Sequence, residues 1–163
     1  MTRGWIDVGL RHALEREEEQ RRAGARRLHQ ATVLKVKGPD LMRRLVAEVM
    51  ASVDEYKQSA RAGGDEIEFQ ALPREGFGVT RAGFPNVRLE CHPDYETHLL
   101  YCNTTRTDDH DSDPQEFVFS LDVSVDDSDE LALRNESRAF ATLDEVVEHL
   151  LTPVLFPMLN QKM

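Results

Sequence analysis

Apolar and polar side chains alternate along most of the chain between Ile67 and Val125, and this alternation is the strongest constraint on the fold. The clearest stretch is EFVFSLDVSV at 116–125, in which every second residue from Phe117 to Val125 is apolar. A period of two is typical of a strand with one buried face and one solvated face. The connectors between these stretches are short and polar, which favours hairpins. The pattern therefore predicts an antiparallel meander of five or six strands.

Two helices are predicted before the strands. The first runs from about Ile6 to about Gln30, with apolar residues at its start and a charged middle. The second begins at Gly38-Pro39, because proline is favoured at the first helical position, and Gly63 and Gly64 provide its stop. Its buried face is a set of apolar residues at three- and four-residue steps: Met42, Leu45, Val46, Val49, Val53 and Tyr56.

A third helix is predicted near the C-terminus. Thr142 and Glu145 have the spacing of a capping box, and Pro153 and Pro157 are expected to break the helix near its end. The fold class that follows is α+β: two N-terminal helices, a five- to six-stranded antiparallel β-meander, and a C-terminal helix packed on one sheet face. We interpret residues 1–163 as a single domain, with 1–37 as a basic N-terminal helical segment.

Composition favours a soluble globular protein, with 40% hydrophobic and 31% charged residues. No apolar run reaches the length of a membrane span, and the N-terminus lacks the layout of an export signal. These observations predict a cytoplasmic protein that does not associate with membranes.

Charge is unevenly distributed along this acidic chain. Residues 1–37 contain nine Lys/Arg and five Asp/Glu, so 9 − 5 = +4, whereas residues 63–163 contain seven and twenty-one, so 7 − 21 = −14. An acidic body repels polyanions, which argues against nucleic acid as the main partner. The basic segment is suited to an acidic protein surface instead, either its own or that of a second copy in a homodimer.

Cys91, His92, His98 and Cys102 are residue types that bind zinc. If Pro93–Glu96 forms a hairpin loop, Cys91 lies opposite His98, and Val87 lies opposite Cys102. This register places the four side chains too far apart for one zinc ion and the two cysteines too far apart for a disulfide. It allows contact between Cys91 and His98 as a nucleophile and base, but no third group to orient the histidine is evident. We therefore predict two buried structural thiols.

The acidic stretch TRTDDHDSDPQE at 105–116 has the initial oxygen-ligand spacing of a calcium loop. However, Pro114 stands where the turn glycine belongs, and Ser120 stands where the bidentate glutamate belongs. We interpret this stretch, and DDSDE at 126–130, as solvated turns that discourage pairing of strand edges. The sequence predicts no metal site and no cofactor.

The sheet face opposite the core is the candidate surface for a ligand or partner. Alternation places a mixed polar and apolar set there: Arg88, Glu90, His92, Leu99, Tyr101 and Val118. An ordinary solvated face is the plain alternative. Trp5 is interpreted as a core residue or an anchor in a neighbouring subunit.

Two functions are consistent with these features. The first is a non-catalytic protein-binding or assembly module that forms a homodimer. The second is a small-molecule-binding protein or enzyme with a pocket between the sheet and the helices, in which His92 would act as a general base and Arg88 as an anion clamp. The sequence contains no catalytic motif, so no catalytic residue is assigned.

Overall fold

A computed structural model of the chain describes residues 3–59 and 66–158. Its elements, in chain order, are α1 (Gly4–Ser59), β1 (Ile67–Leu72), β2 (Gly76–Arg81), β3 (Asn86–Asp94), β4 (Leu99–Thr107), β5 (Gln115–Val125), β6 (Leu131–Arg134) and α2 (Leu143–Leu155). The six strands form one antiparallel sheet in the order β1 to β6. The predicted meander and the α+β class are confirmed. None of the described helices combines the length and apolar character that crossing a bilayer requires.

The core lies between one face of the sheet and two helical segments, the second half of α1 and all of α2. Leu45, Leu89 and Leu150 are fully buried there, and each such side chain contributes about 1.5–3 kcal/mol through burial. The helices do not cover the whole face. Along β5, Leu121 is buried but Phe117 is exposed. The expectation that the whole alternating apolar set of this strand is buried is therefore wrong at Phe117, the first residue of the set.

The N-terminal half of the chain forms one helix, where two were predicted. Pro39 lies inside α1 and does not begin a new helix. A proline within a helix removes one hydrogen bond and costs about 3 kcal/mol, but buried side chains such as Leu41 and Met42 follow it directly and hold this part of α1 on the core. Gly38 is buried beneath the ring of Tyr95. The predicted stop at Gly63 and Gly64 lies outside the described residues.

The C-terminal helix begins as predicted. The amide of Glu145 donates to Thr142 Oγ1 at 3.2 Å, and the Glu145 carboxylate accepts from the amide of Ala141 at 2.8 Å. The helix continues past Pro153 and ends at Leu155.

Arg81, which the sequence analysis did not single out, binds the end of that helix. Its guanidinium donates to the carbonyl oxygens of Val154 and Leu155, both at 2.7 Å, and to Tyr56 Oη at 3.0 Å. Carbonyls at a helix C-terminus have no partner within the helix. A cation that satisfies them also complements the helix dipole, so Arg81 connects β2 to both helices.

The register of the β3–β4 hairpin differs from the prediction by four residues. Cys91 lies opposite Cys102, and Pro93 remains within the strand opposite Leu100. The turn begins two residues later than predicted, at Tyr95. The Asp94 carboxylate stabilises it by accepting hydrogen bonds from the backbone amides of Glu96 and Thr97. These hydrogen bonds hold the pKa of Asp94 below its usual value.

This register corrects the predicted geometry of the two cysteines. Their Sγ atoms lie 3.3 Å apart, so the argument that distance prevents a disulfide between them is wrong. The proposed contact between Cys91 and His98 is also wrong, since His98 belongs to the turn. Both cysteines are free and buried, as predicted, and burial raises the pKa of the Cys91 thiol.

Candidate functional site

The six residues predicted to form a surface lie on three adjacent strands, on the sheet face turned away from the helices. They are Arg88, Glu90 and His92 on β3, Leu99 and Tyr101 on β4, and Val118 on β5. Their assignment as a ligand or partner surface remains a prediction.

Cross-strand pairing places several of these residues next to each other. His92 lies opposite Tyr101, and Glu90 lies opposite Asn103, which in turn lies opposite Val118. The carboxylate of Glu90 is 2.5 Å from a guanidinium nitrogen of Arg88 and 3.9 Å from His92 Nε2. Glu90 is therefore within ion-pair distance of both Arg88 and His92.

The face is open. Arg88, His92 and Tyr101 are all exposed, and Leu99 is half-buried at one end of the sheet beside Asp94. Arg88, His92 and Tyr101 do not line the pockets found beside the helices, whereas Leu99 lines a small pocket with Leu34 and Gly38 of α1. That arrangement offers contact area to a partner and does not enclose a small substrate.

Asn103 belongs to this face and was missed by the sequence analysis. Its amide nitrogen donates to Glu116 Oε1 at 3.0 Å, while its Oδ1 atom is buried with no hydrogen-bond partner among the described residues. Counting two residues on from Tyr101 along β4 would have placed it here, because side chains alternate between the two faces of a strand.

A groove of about 510 Å³ lies on the other side of the molecule, between α1, β6 and the start of α2. Its charged lining residues are Arg44, Glu48 and Asp144. His149 lies nearby in an aromatic setting, with its ring centroid 5.3 Å from that of Phe140. Burial lowers the pKa of His149, and the positive charge of Arg138 lowers it further.

The first half of α1 is the most exposed apolar feature of the described chain. We call residues 4–28 the arm; at 1.5 Å per residue it is about 37 Å long. Its large apolar side chains are strongly exposed: Trp5 71%, Leu10 59%, Leu14 63% and Leu28 74%. Trp5 is therefore not a core residue of this chain, and the arm presents apolar area that nothing in the described chain covers.

The base of the arm is held by one turn of the sheet. Asp129, in the β5–β6 turn, accepts from His29 Nε2, with nitrogen–oxygen distances of 3.0 and 2.9 Å, and its backbone carbonyl accepts from Lys37 Nζ at 2.8 Å. The interpretation of DDSDE as a purely solvated turn is therefore wrong at Asp129.

The other acidic stretch forms the β4–β5 hairpin connection, as predicted. Asp109 Oδ1 accepts from Ser112 Oγ at 2.8 Å and from the amide of Asp111 at 2.9 Å, and these contacts lower the pKa of Asp109. The ring of His110 packs against Phe84, with centroids 4.2 Å apart. Within residues 3–59 and 66–158, no three His, Cys, Asp or Glu side chains are grouped so that they could hold a metal ion.

Together these features define an α+β protein with an antiparallel meander and a protruding helical arm. Comparison with known proteins found no matching family model, no matching curated protein and no matching solved structure. Functional inference therefore depends on the chain's own surfaces.

Proposed function

We propose that this protein is a non-catalytic assembly module that forms a homodimer through its arm. The observation that carries the proposal is that three exposed apolar side chains, Leu10, Leu14 and Leu28, lie on one side of the arm. Exposed apolar area of this kind is typical of interaction surfaces. A long helix of this composition also gains most of its stability from packing, because isolated helices are only marginally stable in water.

Solution mass measures this association directly. Sedimentation equilibrium or light scattering of the full chain should give a dimer, and the L10E/L28E double variant should be monomeric or much more weakly associated. The matched control is H12E/Q30E, because His12 and Gln30 have the same eighteen-residue spacing on the opposite side of the helix. A wild-type chain that is monomeric at all concentrations, or equal effects of the two double variants, would contradict the proposal.

The groove supports a second candidate function, a small-molecule-binding protein or enzyme. Its volume of about 510 Å³ falls within the range of ligand sites, about 300–1,000 Å³. Thermal-shift screening against common metabolites tests this function. A47W is the control, because Ala47 lines the groove and the larger tryptophan side chain would fill it. A binding ligand should raise the Tm of the wild type and not that of A47W.

A further inference from the structure

The charge sequence of the arm divides it into two halves of opposite sign. Residues 15–19 (EREEE) contain four acidic and one basic residue, so 1 − 4 = −3, and residues 21–27 (RRAGARR) contain four basic residues and no acidic one, so the charge is +4. Within the described residues, Glu18 of the acidic half and Arg22 of the basic half form an ion pair at 3.9 Å on the exposed surface of the helix. Most of these charges therefore remain available to a partner.

Leu10, Leu14, Gly24 and Leu28 are arranged symmetrically about Glu19, the last residue of the acidic half. Leu10 and Leu28 are each nine residues from Glu19, and Leu14 and Gly24 are each five residues from it. Leu10 and Leu28 are separated by eighteen residues, about five helical turns at 3.6 residues per turn, so both project from the same side of α1. Glu17 and Arg21 also lie on that side, between Leu10 and Leu28, two residues before and two residues after Glu19.

We infer that the occupant of the arm's apolar side is the arm of a second copy of this chain, running antiparallel about a two-fold axis near Glu19. This inference rests on the proposed homodimer and specifies its geometry. An antiparallel arrangement places Leu10 against the partner's Leu28 and Leu14 against the partner's Gly24. It also places Glu17 beside the partner's Arg21, so that each interaction occurs twice, as two-fold symmetry requires.

The charges favour the antiparallel direction over the parallel one. A parallel pair in register would place the acidic segment 15–19 against its own copy and the basic segment 21–27 against its own copy, and like charges at such contacts are destabilising. The antiparallel pair about Glu19 places Glu17 against the partner's Arg21 and Arg21 against the partner's Glu17, whereas the parallel pair would place each of these residues against its own copy. The antiparallel pair also keeps the two bodies apart at opposite ends of the paired arms, because each body begins where His29 contacts Asp129.

Disulfide cross-linking of full-length chains tests the direction. Copper-phenanthroline oxidation of L10C mixed with L28C should give a covalent dimer, whereas L10C alone and L28C alone should give little. Each cross-link forms one S–S bond as two thiols lose two protons and two electrons to the oxidant. Wild-type protein is the control, because Cys91 and Cys102 are buried and should not cross-link between chains.

The outcomes separate this inference from the proposed function. Efficient cross-linking of L10C to itself indicates parallel arms and overturns the inference while the homodimer stands. A dimer by sedimentation with no cross-link in any mixture places the interface elsewhere and also overturns it. A chain that is monomeric by sedimentation and forms no cross-link overturns both.

Charge exchange gives an independent measurement. E17R alone and R21E alone should each weaken dimerisation by about tenfold, and the E17R/R21E double variant should recover most of the loss, because it restores opposite charges across the interface. E18R/R22E is the matched control. Glu18 and Arg22 lie off the apolar side, and this double substitution reverses the charges of an ion pair within one chain. Additive losses in E17R/R21E would overturn the inference.

Discussion

His29 Nε2 on α1 lies 2.9 Å from Asp129 Oδ2 in the β5–β6 turn, and the two residues are one hundred positions apart in the sequence. Asp129 also accepts from Lys37 through its backbone carbonyl. These contacts mark the place where α1 leaves the body of the protein, so Asp129 contacts α1 at the base of the arm.

Removal of this contact should loosen the base of the arm without unfolding the core. D129N replaces the charged carboxylate with a neutral amide. Asparagine, like aspartate, tolerates the left-handed backbone at this position, where φ is 60°. Because His29 and Asp129 are 60% and 44% exposed, the loss of global stability should be below about 1 kcal/mol. Hydrogen exchange of amides 20–36 should be faster than in the wild type.

The control for that experiment is D127N, which removes one neighbouring carboxylate from the same turn. Unchanged exchange in D129N, or equal acceleration in both variants, would show that the contact does not hold the arm.

Gly38→Ala should stabilise the protein, because Gly38 lies within the continuous helix α1. An added Cβ would meet Tyr95 Cδ1 at 3.8 Å, an ordinary van der Waals contact. Replacement of a helical glycine by alanine raises stability by about 0.5–1 kcal/mol, which urea denaturation can measure. G9A is the control, since it makes the same change in the arm and should leave core unfolding unaffected. A loss of stability in G38A would indicate that the helix breaks at Gly38-Pro39.

Arg81→Lys should destabilise the protein although it preserves the charge. The guanidinium donates to two terminal carbonyls of α2 and to Tyr56, and a lysine cannot reproduce this planar set of donors. With the Arg81 side chain only 12% exposed, we expect a loss of about 2–4 kcal/mol in the free energy of unfolding. R88K, on the open sheet face, should change stability little. Equal small effects in both variants would contradict the assigned role.

Stability should decrease in mildly acidic solution because of His149. Burial lowers its pKa in the folded state, so the unfolded chain takes up a proton first as the pH falls below the ordinary value of about 6.5. The free energy of unfolding therefore falls as the pH decreases below about 6.5, until the folded protein also binds the proton. In H149Q this part of the pH dependence should be absent. The same slope in wild type and H149Q would rule out a contribution from this histidine.

Particular residues show how far sequence patterns reach. The alternation in β3, β4 and β5 correctly predicted the meander and the buried side of the sheet, because side-chain direction follows directly from strand geometry. The capping box at Thr142 was equally visible, since its hydrogen bonds are local. The six surface residues were placed together by the same alternation, and Asn103 was missed although that alternation also places it on the open face, two residues beyond Tyr101.

The errors arose where local signals compete with packing. Gly38-Pro39 favours a helix start, but the core contacts of Leu41 and Leu45 keep α1 continuous. The β3–β4 register depends on the turn that Asp94 forms with its own neighbouring amides, and a shift of the turn moves every opposing pair.

The sequence by itself determined the order and type of the elements after residue 66, the burial of one sheet face and the acidic charge of the body, because these depend on spacing and composition. Only the tertiary structure decided that α1 is one helix, that Cys91 meets Cys102, and that Asp129 holds the base of an exposed arm. Those features join residues far apart in the chain, and the free energy of such contacts depends on distances that no local pattern contains.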